Sequence, residues 1–394
     1  MEILKIKENV FNYFIYLILI FVSVFLVFYV SPLTSGDTPH YDIQSNILLE
    51  QGFIDYLKLI LTKEFDKPFL LYLGTIIYTS IFKLFFNDLW KHFFILGNLS
   101  LSFYIFVSLF KNLESLKISK LIFIFLFISN IAQNVWNFYI LGDTLYYFII
   151  CLIFFLIIKN ISTDTFLGKK IIPIFILSIL AIFTRPTGIF LIGFYTMLSI
   201  FFFMFEKKKN YQVLNYIFLS IFFILILFSI FFSIVSKTDI SFESSYFSRV
   251  YEIISTGVVI DTDKPDKILI IDIGNGSIFD YLYFFIFKFF YTFNFLTNYW
   301  SFKHNLINFF VYIPLYFSFF YSVINFKNFN YIDKKKIIVC VTLISSVALF
   351  CALTIIDYSF RLRLAIYCPI YYMLILNLRL FKSKMQNNKF SSLI

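Results

Sequence analysis

Charged residues are scarce in this chain of 394 residues. They make up 14% of it, while hydrophobic residues make up 60% and aromatic residues 23%. A soluble domain carries roughly a quarter charged and about half apolar residues. Together with a mean hydropathy of +0.85, this composition excludes a soluble enzyme and a disordered scaffold.

Cysteine is equally rare, and its placement excludes a disulfide-rich secreted module. All four cysteines lie in apolar runs, without C-x-x-C spacing and without a pair that frames a loop: Cys151, Cys340, Cys351 and Cys368. This pattern favours buried small hydrophobic residues over disulfides or metal ligands.

The chain is rich in long apolar runs. A helix that crosses the hydrocarbon core needs about 20 apolar residues, because it must satisfy its own backbone in lipid. Twelve runs are candidates: 10–30, 69–86, 92–110, 121–139, 144–158, 171–184, 187–205, 211–236, 281–300, 306–326, 337–356 and 364–378. The first is too long for a signal peptide and lacks a small-x-small cleavage site, so we expect an uncleaved span.

Lysine placement predicts the topology. Short lysine-rich connectors are typical of the cytoplasmic side, and here they are 111–120, 159–170, 206–209, 327–336 and the tail from Arg379. They share one side only if 69–86 and 281–300 do not fully cross, so we interpret these two runs as juxtamembrane or re-entrant. Ten spans remain, with both termini cytoplasmic. The cytoplasmic segments then carry +13 and the outer segments −3, which together give the formal net charge of +10.

The predicted fold is an all-α polytopic membrane helix bundle, one integral membrane domain over 1–394. It has two large outer loops, 31–91 and 237–305, followed by C-terminal spans within 306–381. In the first loop, apolar residues at helical spacing predict two short interfacial helices over Ile43–Leu61, with Gly52 as the cap between them. Because only short connectors remain inside, we expect any active site to face outward.

Charged motifs at the predicted outer ends of the spans resemble those of the GT-C superfamily, polytopic glycosyltransferases that use lipid-linked sugars. Protein O-mannosyltransferases and the aminoarabinose transferase of lipid A belong to this group. The matching stretches occur in the family's order: Asp37-Thr38 with Tyr41 and Gly52, Asp66-Lys67-Pro68, Gly142-Asp143, Arg185-Pro186-Thr187-Gly188, and Arg361-Leu362-Arg363 with Pro369. Ala365 stands where several branches have a first proline.

The resemblance implies an inverting sugar transfer from a polyprenyl phosphate, with Asp37 as the catalytic base. Such a reaction needs a carboxylate for the acceptor proton and fixed positive charge for the phosphate. Asp66 and Asp143 are candidates to bind the acceptor or a divalent cation, and His40 is a further candidate metal ligand. The candidates to bind the lipid phosphate are Lys67, Arg185, Arg361 and Arg363. The sequence requires no cofactor, although a divalent cation is compatible with it.

Arginine usage agrees with this assignment. Only five of the 33 basic residues are arginine, and three of the five, Arg185, Arg361 and Arg363, lie at predicted outer span ends. This placement contradicts the cytoplasmic preference of basic residues. Helix capping or contact with lipid headgroups is the alternative explanation for Arg185.

The expected partners are a polyprenyl-phosphate sugar donor, a lipid, glycan or protein acceptor, and membrane lipids, but no nucleic acid. The expected location is a bacterial inner or plasma membrane. One alternative is a polysaccharide polymerase or ligase that acts on lipid-linked glycans. Another is a transporter or flippase, but spans interrupted by glycine or proline are scarce and no symmetric halves are visible.

Overall fold

A computed structural model describes residues 2–62, 69–113, 117–163, 168–205, 282, 285–286, 289–290, 292–294, 301–353 and 363–391. This part of the chain is helical and contains no strand, which confirms the all-α prediction for the described residues. Two connectors meet at one isolated bridge, between Leu33 and Tyr139.

The described α-helices are numbered in chain order. They are α1 (Glu2–Tyr29), α2 (Thr38–Gln51), α3 (Phe53–Thr62), α4 (Leu73–Phe86), α5 (Trp90–Phe110), α6 (Lys117–Ile128), α7 (Ile131–Asn134), α8 (Asp143–Thr163), α9 (Gly168–Thr184), α10 (Phe190–Phe205), α11 (Phe302–Ile324), α12 (Tyr331–Leu353) and α13 (Leu364–Ser391). Short 3-10 helices cover Phe69–Tyr72, Asn87–Leu89, Val135–Phe138, Pro186–Ile189 and Phe326–Asn328.

Seven helical stretches of the described residues are long and apolar enough to cross a membrane, so the chain is an integral multi-pass membrane protein. They are Asn12–Tyr29, Phe69–Phe110, Asp143–Ile161, Pro186–Phe205, Phe302–Ile324, Tyr331–Ala352 and Leu364–Lys382. The predicted count of about ten is not confirmed. The run 121–139 is bent by 55° at its middle, 171–184 belongs to a shorter apolar helix, and 211–236 lies outside the described residues.

The run 69–86, predicted not to cross fully, forms the 3-10 helix Phe69–Tyr72 and α4, and it begins the candidate span Phe69–Phe110. α4 has 14 residues, which span about 21 Å, less than the hydrocarbon core of about 30 Å. The 3-10 helix Asn87–Leu89 then leads into α5, and Asn87 has a φ of 40°. Most of the other such run, 281–300, lies outside the described residues.

The predicted pair of short helices is confirmed. α2 ends at Gln51, and Gly52 has a φ of 79°, which favours glycine. Its N–H donates to the Leu48 carbonyl at 3.0 Å, and α3 follows directly. The buried face of α2 is largely polar, with Thr38, Tyr41, Gln44, Ser45 and Leu48.

Packing divides the chain into two compact units, each described by itself below. The first unit comprises Met1–Phe155, Ile176–Gly188 and Tyr371–Ile394, and the second comprises Leu156–Phe175 and Ile189–Ile370.

In the first unit, α2 packs on α3 and α4, and α4 packs on α5. The first unit contains a buried cluster, here called the Tyr41 cluster: Tyr41, Leu48, Tyr56, Phe69, Ile76 and Leu141. This cluster brings the start of α2 next to the residues that precede α8.

In the second unit, α10 packs along α12, and the Phe205 ring stacks on Tyr331 with 5.6 Å between centroids. The Tyr312 hydroxyl donates to the Tyr367 hydroxyl at 2.6 Å. All four cysteines are buried, as the sequence predicts.

Candidate functional site

The turn that carries Asp37 is fixed by its neighbours. Asp37 immediately precedes α2 and is partly buried. Its backbone N–H donates to Ser35 Oγ at 3.2 Å, while the Ser35 N–H donates to Thr38 Oγ1 at 2.9 Å. These bonds define the turn through backbone and hydroxyl groups, so the position of Asp37 is set by its neighbours.

Hydrogen bonds join this turn to the segment that leads into α8. The Leu33 N–H donates to the Phe138 carbonyl at 2.9 Å, and the Ile140 N–H donates to the Leu33 carbonyl at 3.0 Å. In addition, Thr38 Oγ1 donates to the Ile140 carbonyl at 3.2 Å. The turn that contains Asp37 is therefore hydrogen-bonded to Ile140, three residues before Asp143.

Asp143 and Arg185 form a buried ion pair. Asp143 is the first residue of α8, and Arg185 follows the last residue of α9. Their side chains are 1% and 11% exposed, and Arg185 Nη1 contacts Asp143 Oδ1. The sequence predicted an acceptor or metal ligand and a phosphate ligand at these two places, without predicting that they pair.

Small residues allow α4 to approach this ion pair. Thr75 Oγ1 donates to the carbonyl of Thr184 at 3.0 Å, one residue before Arg185. A Cβ on Gly142 would overlap the hydroxyl of Thr75, and a Cβ on Gly74 would lie 2.5 Å from Thr184 Oγ1. Glycine is therefore required at both positions for this packing.

Gly142→Ala should lower the free energy of unfolding by about 1–3 kcal/mol, because the added methyl group overpacks against Thr75. The control is Gly193→Ala in α10, where a Cβ would meet no described atom within 4 Å. That variant should be neutral or stabilising by up to about 1 kcal/mol, since alanine is the better helix former. Thermal unfolding in detergent compares the two. Equal stability of both variants would show that the close approach at Gly142 is absent.

A second fixed charge, which was not predicted from the sequence, is Lys83 of α4. Its ammonium forms an ion pair with Asp42 of α2 and donates to the Asp42 carbonyl at 2.7 Å and Asn46 Oδ1 at 2.6 Å. It also lies 5.1 Å from the centre of the Trp90 ring. The Lys83 side chain is only 9% exposed. Its position within an apolar run of the sequence is the signal that could have identified it.

A network of buried amides and hydroxyls was also missed. Asn98, in the middle of α5, donates from Nδ2 to the carbonyls of Asn137 at 3.2 Å and Tyr139 at 3.3 Å. Asn137 Nδ2 donates to Ser102 Oγ at 3.2 Å, and Thr144 Oγ1 donates to Asn137 Oδ1 at 3.2 Å. Backbone that leaves the helical path inside an apolar bundle must be satisfied in this way. An asparagine within the run 92–110 was the available signal.

Of the remaining predicted site residues, the structure describes Arg363 and His40. Arg363 lies in the second unit, is 5% exposed, and donates from Nη1 to the carbonyl of Asn294. His40 is partly buried in the first turn of α2. Asp66, Lys67 and Arg361 lie outside the described residues.

Within the described part of the chain, no three His, Cys, Asp or Glu side chains are grouped to hold a metal ion. Asp42 and Asp143 each contact a cationic side chain. No family model, no curated protein and no solved structure matches this chain.

Proposed function

We propose that this protein is a membrane glycosyltransferase that moves a monosaccharide from a polyprenyl phosphate to a hydroxyl of a cell-envelope acceptor. One observation carries the proposal: the turn of Asp37 is hydrogen-bonded to the segment that leads into the buried Asp143–Arg185 ion pair. An acid for the acceptor and an arginine for the phosphate thus belong to one compact unit.

In this proposal Asp143 is a positioning residue. A carboxylate 1% exposed holds the guanidinium of Arg185 in one orientation, because both charges need each other in apolar surroundings. A guanidinium has five N–H donors, more than a single carboxylate accepts, and its planar shape suits two phosphate oxygens. Arg185 is thereby suited to bind the phosphate of the donor lipid.

The transfer proceeds with Asp37 as general base. The acceptor O–H gives its proton to the Asp37 carboxylate while its oxygen forms a bond to the anomeric carbon. The bond from that carbon to the phosphate oxygen breaks, and its electron pair leaves with the lipid phosphate, whose negative charge Arg185 stabilises. Attack from the face opposite the leaving group inverts the anomeric carbon.

Other parts of the proposal depend on charge and on the resemblance. Asp66 remains a candidate to bind the acceptor or a divalent cation, and Lys67 remains a candidate to bind the lipid phosphate. The positive connectors support cytoplasmic termini and an outward-facing site in a bacterial inner or plasma membrane.

Release of lipid phosphate tests the function directly. Purified protein in detergent is incubated with a panel of polyprenyl-phosphate monosaccharides and a hydroxyl acceptor such as a lipid A fraction or a glycan. We expect lipid phosphate to be released from a polyprenyl-phosphate sugar, together with a glycosylated acceptor. Use of a diphosphate-linked glycan in its place would indicate a polymerase or ligase. Movement of the lipid sugar across liposomes without any product would indicate a flippase.

A further inference from the structure

The side chain of Gln133 in α7 is buried without using its hydrogen-bonding groups. Gln133 is 2% exposed, and neither Oε1 nor Nε2 has a hydrogen-bond partner among the described residues. Its backbone N–H donates to Asn130 Oδ1 and to the Asn130 carbonyl, both at 3.2 Å. A buried amide without partners is costly, and natural structures contain few of them.

The bend at α7 does not need this side chain, because asparagines on either side satisfy it. Asn130 caps α7 and donates from Nδ2 to the Tyr371 hydroxyl at 3.0 Å. Asn134 donates from Nδ2 to the carbonyls of Phe127 at 2.8 Å and Ile128 at 3.0 Å. The local structure does not use the Gln133 amide, so this amide is available to a bound ligand or a buried water.

Aromatic rings lie on the same side of this segment. α7 continues into the 3-10 helix Val135–Phe138, so Gln133 and Trp136, three residues apart, share a face. The rings of Trp136 and Tyr139 are 5.3 Å apart, and both residues are partly exposed. Trp136 and Tyr139 pack against the Tyr41 cluster, whose Tyr41 lies one helical turn after Asp37.

We propose that Gln133, Trp136 and Tyr139 form a subsite for a neutral hydroxylated ring, the sugar of the donor lipid. This inference rests on the proposed function and adds the group that recognises the sugar. An amide offers a donor beside an acceptor, which matches the neighbouring hydroxyls of a sugar. A phosphate would use only the donor and a cation only the acceptor. Partly exposed aromatic rings supply the apolar wall common in small-molecule sites.

The test compares binding of two lipids, a polyprenyl-phosphate hexose and the bare polyprenyl phosphate, to wild type and to Gln133→Met. Methionine keeps the length and flexibility of the side chain and removes the donor and acceptor that would bind the sugar. Wild type should bind the hexose lipid more tightly than the bare lipid. Gln133→Met should reduce this preference about ten-fold, the effect of losing one or two hydrogen bonds, and leave affinity for the bare lipid unchanged. Its melting temperature should equal or exceed that of wild type.

Gln44→Met is the matched control. Gln44 is also buried, but its Oε1 accepts from the Tyr56 hydroxyl at 2.9 Å. Burial raises the pKa of the Tyr56 phenol, which therefore stays a neutral donor. Gln44→Met should lower the melting temperature and keep the preference for the hexose lipid. The control thus separates loss of stability from loss of sugar recognition.

A preference that survives in both Gln133→Met and Gln133→Leu would overturn the subsite, as would a wild type that does not distinguish the two lipids. Failure of the proposed function is a separate result, because it appears as absent release of lipid phosphate in wild type. A preference that depends on Gln133 without any transfer would support the subsite and refute the transferase. Sugar transfer by wild type, together with an unchanged preference for the hexose lipid in the Gln133 variants, would support the transferase and refute the subsite.

Discussion

Arg185→Met should lower the free energy of unfolding by about 3–5 kcal/mol, the largest stability effect we expect. The variant leaves the carboxylate of Asp143, 1% exposed, without its cationic partner. Removing one member of a buried ion pair is strongly destabilising, because the other charge stays buried and uncompensated. Thermal unfolding of the purified protein in detergent, scaled by a denaturant series, measures the loss.

Two controls isolate the pair. The double variant Asp143→Leu with Arg185→Met removes both charges and should be more stable than Arg185→Met alone, since apolar replacement of a whole buried pair is often tolerated. Lys58→Met breaks the exposed pair of Lys58 and Asp55, whose side chains are 71% and 66% exposed. It should change stability by about 1 kcal/mol at most. Equal losses for Arg185→Met and Lys58→Met would contradict the buried pair.

The individual charged residues of the site were predictable, but the pairing was not. Asp143 was singled out by the resemblance to the GT-C motifs, and Arg185 by the same resemblance and by the unusual place of an arginine at a predicted outer span end. They are separated along the chain by α8 and α9, and no local rule states that the two helix ends meet. α4 packs beside the residues that precede Asp143 and Arg185, and glycines at 74 and 142 permit this close approach.

The number of spans shows a different limit. Apolar composition measures transfer into lipid but ignores helix capping. In the run 121–139 an asparagine, Asn130, caps a new helix and bends the path by 55°. In contrast, Gly52 was correctly predicted, because a glycine between two apolar periodicities is a local signal.

Polar residues inside apolar runs were not used to predict the buried polar groups of the structure. Asn98 and Gln133 lie in runs that were counted as spans, and Lys83 lies in a run that was treated as juxtamembrane. Each is buried or largely buried. A polar group in such surroundings either forms hydrogen bonds with neighbouring backbone groups, as Asn98 does, or binds a ligand, as we propose for Gln133.

Asp37→Asn should reduce sugar transfer by at least about 10²–10⁴-fold, the contribution of a general base. Asparagine has nearly the same shape, but its amide does not accept the proton of the acceptor hydroxyl. The turn should persist, because the bonds that define it involve the Asp37 N–H, Ser35 and Thr38. The melting temperature and the affinity for the donor lipid should therefore stay close to those of wild type, so that the loss appears in kcat.

The matched control is Asp55→Asn, the same exchange in the neighbouring helix α3, where the carboxylate is 66% exposed and pairs only with Lys58 among the ion pairs described. Transfer by Asp55→Asn should equal that of wild type. Full activity of Asp37→Asn would remove Asp37 from the role of base and leave the acceptor proton to another group. A loss of equal size in both variants would point to a general effect of charge near α2 and α3. A selective loss at Asp37 with unchanged donor affinity is the result that the proposed chemistry requires, because only the proton transfer depends on that carboxylate.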